Sequence, residues 1–281
     1  MKSNYRYIVK AFMAMAVIAG TTSCDDFLDR EPMSSISPET YYSTAAQLEA
    51  NLNDEYPNVL PSFGQWTYGI FGEDKGTDNQ IEVNANDRYT QDRWKVPHSE
   101  SDNWKFERIY RINFFLSEAL PKFGEDMSGS QNTISGSVAT IKHYIGEMYF
   151  LRAYEYFKKL QLFGDFPIIN QPLADEMEAL REASKRFPRN EVARFIISDL
   201  DKAYAYMSDV DMATTRINKD VAMLVKSRVA LFEATWLQNF KGTAFVPGGE
   251  GWPGASLHNN YQYPSGNIDN EVKYFLEQAV E

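Results

Sequence analysis

Apolar residues recur three and four positions apart in several separate stretches of the chain, a spacing that predicts amphipathic helices. The predicted helices cover residues 44–56, 101–120, 141–160, 188–203, 218–232 and 270–281. Almost no stretch shows the strict alternation of apolar and polar residues that is typical of a strand. The pattern therefore predicts an all-α fold, a tetratricopeptide-like helical-repeat scaffold, although no strict repeat of about 34 residues is visible.

Local signals indicate where several of these helices begin and end. Thr44–Gln47 has the form of a capping box, and Pro57 and Pro61 are expected to end the helix that it begins. Ser101 and Asn218 are predicted N-caps of two later helices.

Three long stretches between the helices have no periodicity: 62–100 and 239–266, which are rich in glycine and aromatic residues, and the polar loop 124–136. A long irregular stretch inside a compact domain is usually functional. The last helical pattern reaches Glu281 without a C-cap, so we expect 44–281 to be a helical-repeat domain that is truncated at its C-terminus.

The first 23 residues are typical of a signal peptide, with basic residues before the ten-residue apolar run Ala11–Gly20 and small residues at 21–23. The next residue, Cys24, is the only cysteine. Acylation of Cys24 would explain why the cysteine directly follows the signal peptide and why the chain contains no other. A lone cysteine forms no internal disulfide. We therefore predict a lipid anchor at Cys24 and a tether over 24–43. An ordinary signal peptide with an incidental cysteine remains the alternative.

Charge and residue chemistry exclude several classes of function. The formal net charge of −11 disfavours binding to nucleic acid and to anionic lipid surfaces. The three histidines show no metal-ligand spacing, and Gly249–Gly254 matches a dinucleotide motif by letter but follows no predicted strand. We therefore predict no cofactor, no metal and no enzymatic activity, although a pair of carboxylates suited to glycoside hydrolysis could arise from distant residues.

Five segments, in order, resemble the SusD/RagB family of outer-membrane nutrient-binding lipoproteins of Bacteroidetes. They are Cys24–Pro32, Trp104–Leu116, Gly146–Ile169, Arg186–Leu200 and Lys219–Trp236. The resemblance implies a lipid-anchored protein of the outer membrane, exposed at the cell surface. It further implies non-catalytic capture of oligosaccharides, or less often peptides, and their delivery to a SusC-type TonB-dependent transporter as partner.

Arg152 and the adjacent pair Gly164–Asp165, which lie in these segments, are expected to have structural roles. Arg152 lies in an otherwise apolar helix and needs a carboxylate partner, for which Asp199 and Glu191 are the candidates. Gly164 is expected to adopt positive φ in a turn, and Asp165 to bond the backbone that follows it.

The candidate ligand site is the irregular stretch between Phe63 and Trp104. Sugar rings stack their apolar faces on aromatic side chains, while their hydroxyls pair with carboxylate, amide and guanidinium groups. The predicted binding residues are Trp94, Asp78 and Arg88, with Trp66 and Tyr89 as lesser candidates. For Trp104, which lies inside a helical pattern, packing against the helices is the favoured interpretation.

Two other functions fit the residues less well. One is a lipid-anchored polysaccharide hydrolase, which would release reducing ends from its ligand. The other is a helical-repeat assembly adaptor, which would bind no glycan.

Overall fold

The computed structural model describes residues 41–61, 80, 103–124, 126–208, 212 and 215–281. In these ranges the backbone is helical, with two isolated bridges and no strand. The helices are α1 (Ala45–Val59), α2 (Glu107–Phe123), α3 (Val138–Phe163), α4 (Met177–Ala183), α5 (Arg189–Tyr206), α6 (Lys219–Asn239) and α7 (Ile268–Val280), with a short 3-10 helix at Pro253–Ser256. None of them is both long and apolar enough to span a bilayer. The predicted all-α class is confirmed.

Several predicted helix ends are confirmed by their caps. Thr44 Oγ1 accepts a hydrogen bond from Gln47 N, and the Gln47 carboxamide accepts one from Thr44 N, which completes the capping box. Asn218 caps α6 by accepting from Val221 N. Helix α3 ends at Phe163, and Gly164 follows it with φ of 68°. That left-handed conformation favours glycine.

Other predicted boundaries are wrong. Pro57 lies inside α1, which continues to Val59 because Val59 is fully buried and Leu60 N still bonds Tyr56 O. Helix α2 begins at Glu107 rather than near Ser101, which lies outside the described residues. Helix α4 was not expected, since it buries no side chain and so leaves no apolar stripe in the sequence.

Helix α3 is the centre of the array and is buried over most of its length. Helices α1, α2 and α5 pack on α3, α6 packs on α5, and α7 packs on α6. Gly146 allows the close approach of α3 to the end of α5, because a Cβ there would lie 2.8 Å from Met207 N and 2.9 Å from Ala203 O. This stacking of successive helices agrees with the predicted tetratricopeptide-like scaffold.

A buried ion pair fixes α3 against α5. Arg152 Nε and Nη2 donate to the two carboxylate oxygens of Asp199 at 2.6 and 2.8 Å, and Arg152 Nη1 donates to Asn113 Oδ1 at 2.9 Å. Burial acts to lower the pKa of Arg152, but the hydrogen bonds to Asp199 reverse this effect and leave it raised. Asp199, and not Glu191, is therefore the partner that Arg152 requires.

Three further ion pairs with buried carboxylates join other layers. Arg216, before α6, forms a bidentate pair with Glu147 of α3 at 2.8 and 2.6 Å. Helix α5 is joined to α6 by Arg189–Glu233 and to α7 by Arg194–Glu271. His143, next to Glu147 on the same face of α3, is fully buried, with Nε2 2.9 Å from Ile217 O. It is a structural histidine of the helix core.

We predict that Arg152→Met lowers the free energy of unfolding by about 3–5 kcal/mol, because Asp199 is left charged and buried without its partner. Urea denaturation measures the change. Lys202→Met is the matched control: Lys202 is exposed and lies 3.7 Å from the same carboxylate, so its loss should change stability by at most about 1 kcal/mol. Equal effects of the two substitutions would contradict this assignment.

Candidate ligand-binding surfaces

The residues predicted to bind ligand lie outside the part of the chain that the structure describes. This holds for Trp94, Asp78, Arg88, Trp66 and Tyr89, and also for Cys24. They therefore stay predictions. The structure does describe the two ends of the stretch that carries the five binding residues, Pro61 and Asn103.

Two adjacent lysines of α3 hold these two ends. Lys158 Nζ donates to Val59 O at the end of α1, and Lys159 Nζ donates to Asn103 O at 2.8 Å. Lys159 is almost fully buried and lies 3.3 Å from Glu155 Oε1, so its charge is balanced. The chain therefore leaves and re-enters the helical array at points fixed on the same turn of α3.

Trp104, directly after that stretch, packs on the helices as expected. Its ring makes edge contacts with Phe106, Phe163 and Phe166, at centroid distances of 4.9–5.6 Å. The guanidinium of Arg186 lies 4.6 Å from the centre of the same ring. Trp104 is thus a packing residue of the helical array.

An apolar groove of about 240 Å³ runs beside the start of α2. It is lined by Phe106, Ile109, Tyr110, Ile169, Gln171, Leu173, Asp175 and Leu180. Tyr110 is half exposed, and Gln171 and Asp175 supply the polar groups. An exposed ring beside an amide and a carboxylate is chemically suited to a sugar.

A second, larger cleft of about 360 Å³ lies in the loop between α6 and α7. Val246 and Pro247 are its buried apolar residues, and Tyr261 and Tyr263 are half-buried in its lining. Four glycines, Gly242, Gly248, Gly249 and Gly266, also line it. The sequence marked this loop as irregular and aromatic, but not which rings line a cleft.

A polar network beneath this loop fixes its aromatic residues. Trp252 Nε1 donates to Asp165 Oδ2 at 2.7 Å, and Arg189 N donates to Asp165 Oδ1 at 2.9 Å. Asn190 hydrogen-bonds Tyr261 Oη at 2.9 Å and Glu271 Oε1 at 3.0 Å. The expectation that Asp165 bonds the backbone directly after it is wrong, because the carboxylate instead joins the end of α3 to α5 and the loop.

Burial changes the pKa values of the ionisable groups in this network. It raises the pKa of Asp165 and of Glu233, against the lowering effects of their hydrogen-bond partners and of Arg189. It also raises the pKa of Tyr261 and Tyr263 above the ordinary value for a phenol. For Glu271, burial is outweighed by hydrogen bonds, first of all that from Arg194, and its pKa is lowered.

No cluster of three or more His, Cys, Asp or Glu side chains that could hold a metal ion occurs within 41–61, 103–124, 126–208 and 215–281. His258, near the cleft, has its Nε2 2.8 Å from Arg186 O. The two surfaces offer aromatic rings and amides, which are groups that bind and orient a ligand.

Comparison with known proteins gives a consistent result. A SusD-like family described as starch-binding and associating with the outer membrane matches residues 26–231. The chain is 25% identical to SusD-like protein P2 of Formosa agariphila, over 86% of the chain and 46% of that relative. It is also 25% identical to SusD-like protein P25 of the same organism, over 76% of the chain and 41% of that relative. The chain thus spans less than half the length of these relatives.

A solved structure shares the fold. The crystal structure of a SusD-like protein from Bacteroides fragilis superposes with a TM-score of 0.52 at 20% identity. The superposition covers 75% of this chain and 39% of that chain.

We predict that Asp165→Asn loosens the loop between α6 and α7. An amide cannot accept from both N–H groups that the carboxylate now serves, so one buried donor is left unpaired, at about 1–3 kcal/mol. Hydrogen exchange of the Trp252 indole N–H, followed by NMR, should be faster in the variant.

The control is Asp269→Asn, which alters an exposed carboxylate that pairs with Lys241 at 2.6 Å. It should leave the exchange of the Trp252 indole unchanged. Unchanged exchange in Asp165→Asn would show that Asp165 does not hold the loop.

Proposed function

The chain belongs to the SusD-like family, and from this premise we propose that it is a non-catalytic receptor that binds nutrient glycans at the cell surface. The observation that carries the proposal is the family match over residues 26–231. That range includes α1 to α5, most of α6 and the whole of the irregular stretch between α1 and α2.

The proposed ligand site lies in that stretch. Trp94 supplies the main stacking surface, and Asp78 and Arg88 pair with sugar hydroxyls, while Trp66 and Tyr89 extend the aromatic platform. The described ends of the stretch support this role, because Lys158 and Lys159 fix the points at which the chain leaves and rejoins the helical array.

The proposed location is the outer face of the outer membrane, with a lipid anchor on Cys24 and a SusC-type TonB-dependent transporter as the partner that receives the glycan. The family description, which includes association with the outer membrane, supports this location. Mass spectrometry of the mature N-terminal peptide tests the anchor: it should show an acylated Cys24, and an unmodified thiol there would contradict the proposal.

Binding without cleavage is tested by calorimetric titration with a panel of glycans that begins with maltoheptaose, followed by chromatography of the recovered glycan. We expect saturable binding and an unchanged glycan. New reducing ends would instead indicate a hydrolase, and no binding to any glycan would favour an assembly adaptor.

In the same titration, Trp94→Ala should raise the dissociation constant by about five- to thirtyfold, because stacking of one ring contributes roughly 1–2 kcal/mol. Its unfolding midpoint should stay unchanged. Trp104→Phe is the matched control, since Trp104 packs on Phe163 and Phe166. It should lower the unfolding midpoint and leave affinity unchanged, and the reverse pattern would exclude Trp94 from the site.

A further inference from the structure

The cleft between α6 and α7 has the size of a ligand site and lies wholly among described residues. Its volume of about 360 Å³ falls within the range of roughly 300–1,000 Å³ that is typical of small-molecule sites. The loop that forms it, 240–267, contains a single short 3-10 helix at Pro253–Ser256. Long ordered loops of this kind are usually functional.

Three glycines of the cleft lining adopt a left-handed conformation. Gly242, Gly248 and Gly266 have φ of 80°, 73° and 91°, and a Cβ built on any of them would meet nothing within 4 Å. Because L side chains rarely adopt such φ values, the turns that shape the cleft favour glycine at these positions.

The aromatic rings of the cleft are held in place from behind. Tyr261 Oη bonds Asn190, which is fully buried, and Tyr263 Oη donates to Pro247 O at 2.7 Å. The two rings also contact each other edge to face, with centroids 5.2 Å apart. With both hydroxyls engaged inside the protein, the rings can offer a ligand only apolar surface.

The polar groups at the cleft favour an uncharged ligand. Lys241 is neutralised by Asp269 at 2.6 and 2.7 Å. The exposed carboxamide of Gln262 makes only a long bond, 3.4 Å, to Asn260 O and can pair with hydroxyls. The chain as a whole is acidic, which disfavours anions. Apolar ring surface beside an exposed amide matches a neutral sugar ring.

We propose that the cleft formed by residues 241–268 is a saccharide-binding site for one or two rings of a neutral glycan. This inference rests on the proposed function for its ligand class, but it requires none of the residues predicted between α1 and α2. A glycan can therefore contact the protein through the cleft even where Trp94 is absent.

Hydroxyl-radical footprinting of the full protein tests the site directly. Maltoheptaose, cellohexaose and xylohexaose serve as neutral probes, and polygalacturonate as the anionic one. A neutral probe should protect the peptide that contains Tyr261 and Tyr263 from oxidation. Gly248→Asn, which adds to the cleft lining the side chain best tolerated at positive φ, should abolish that protection and raise the dissociation constant by about tenfold.

Gly251→Asn is the matched control, because Gly251 has nearly the same φ of 77° but does not line the cleft. It should retain both protection and affinity. Gln262→Leu, which alters one exposed side chain without touching the backbone, should weaken binding as well, whereas Gln238→Leu on the exposed surface of α6 should not.

Each other outcome has a distinct meaning. Binding of a neutral probe without protection of the tyrosine peptide, and with unchanged affinity in Gly248→Asn, would overturn the cleft and leave the proposed function standing. Protection by polygalacturonate alone would overturn the assignment to a neutral sugar. Failure of every probe to bind would overturn the cleft and the proposed function together.

Discussion

Guanidinium groups paired with buried carboxylates join successive layers of this helical array from α3 to α7. Arg216–Glu147, Arg152–Asp199, Arg189–Glu233 and Arg194–Glu271 join α3, α5, α6, α7 and the segment before α6, and the four carboxylates are fully buried. Such a pair contributes little net stability over apolar packing, but breaking it strands a buried charge at a cost of about 3–5 kcal/mol. An alternative register of the helices would break these pairs and leave charges buried without partners. The pairs therefore favour one arrangement of the helices, and that arrangement sets the position of the 240–267 loop.

The same residues connect the helical layers to the surfaces that could bind ligand. Helix α5 contributes Arg189, Asn190 and Arg194 from its first two turns, and these reach α6, the 240–267 loop and α7. Asp165 adds the end of α3 to this network through Trp252. Lys158 and Lys159 of α3 hold the described ends of the stretch between α1 and α2. The 240–267 loop is thus held at several points, which is what a preorganised binding surface requires.

Local signals made much of the fold predictable. Caps such as Thr44, Asn218 and Gly164 act through neighbouring backbone groups, so their effect can be read from a few residues. The partner of Arg152 was also among the candidates, because a lone cation in an apolar helix demands a carboxylate. By contrast, Asp165 bonds Trp252 across 87 positions, and α4 has no apolar stripe. Neither fact has a local signature, and the same holds for the cleft, whose glycines and tyrosines meet only through the tertiary fold.

The central claim is that buried ion pairs position the loops, and hydrogen exchange of backbone amides in Arg189→Met measures this most directly. The account predicts faster exchange in 240–267 and at the start of α5, with α1 to α3 unaffected. Uniformly faster exchange throughout the array, or unchanged exchange in 240–267, would contradict it, because the loop would then not depend on the pair beneath it.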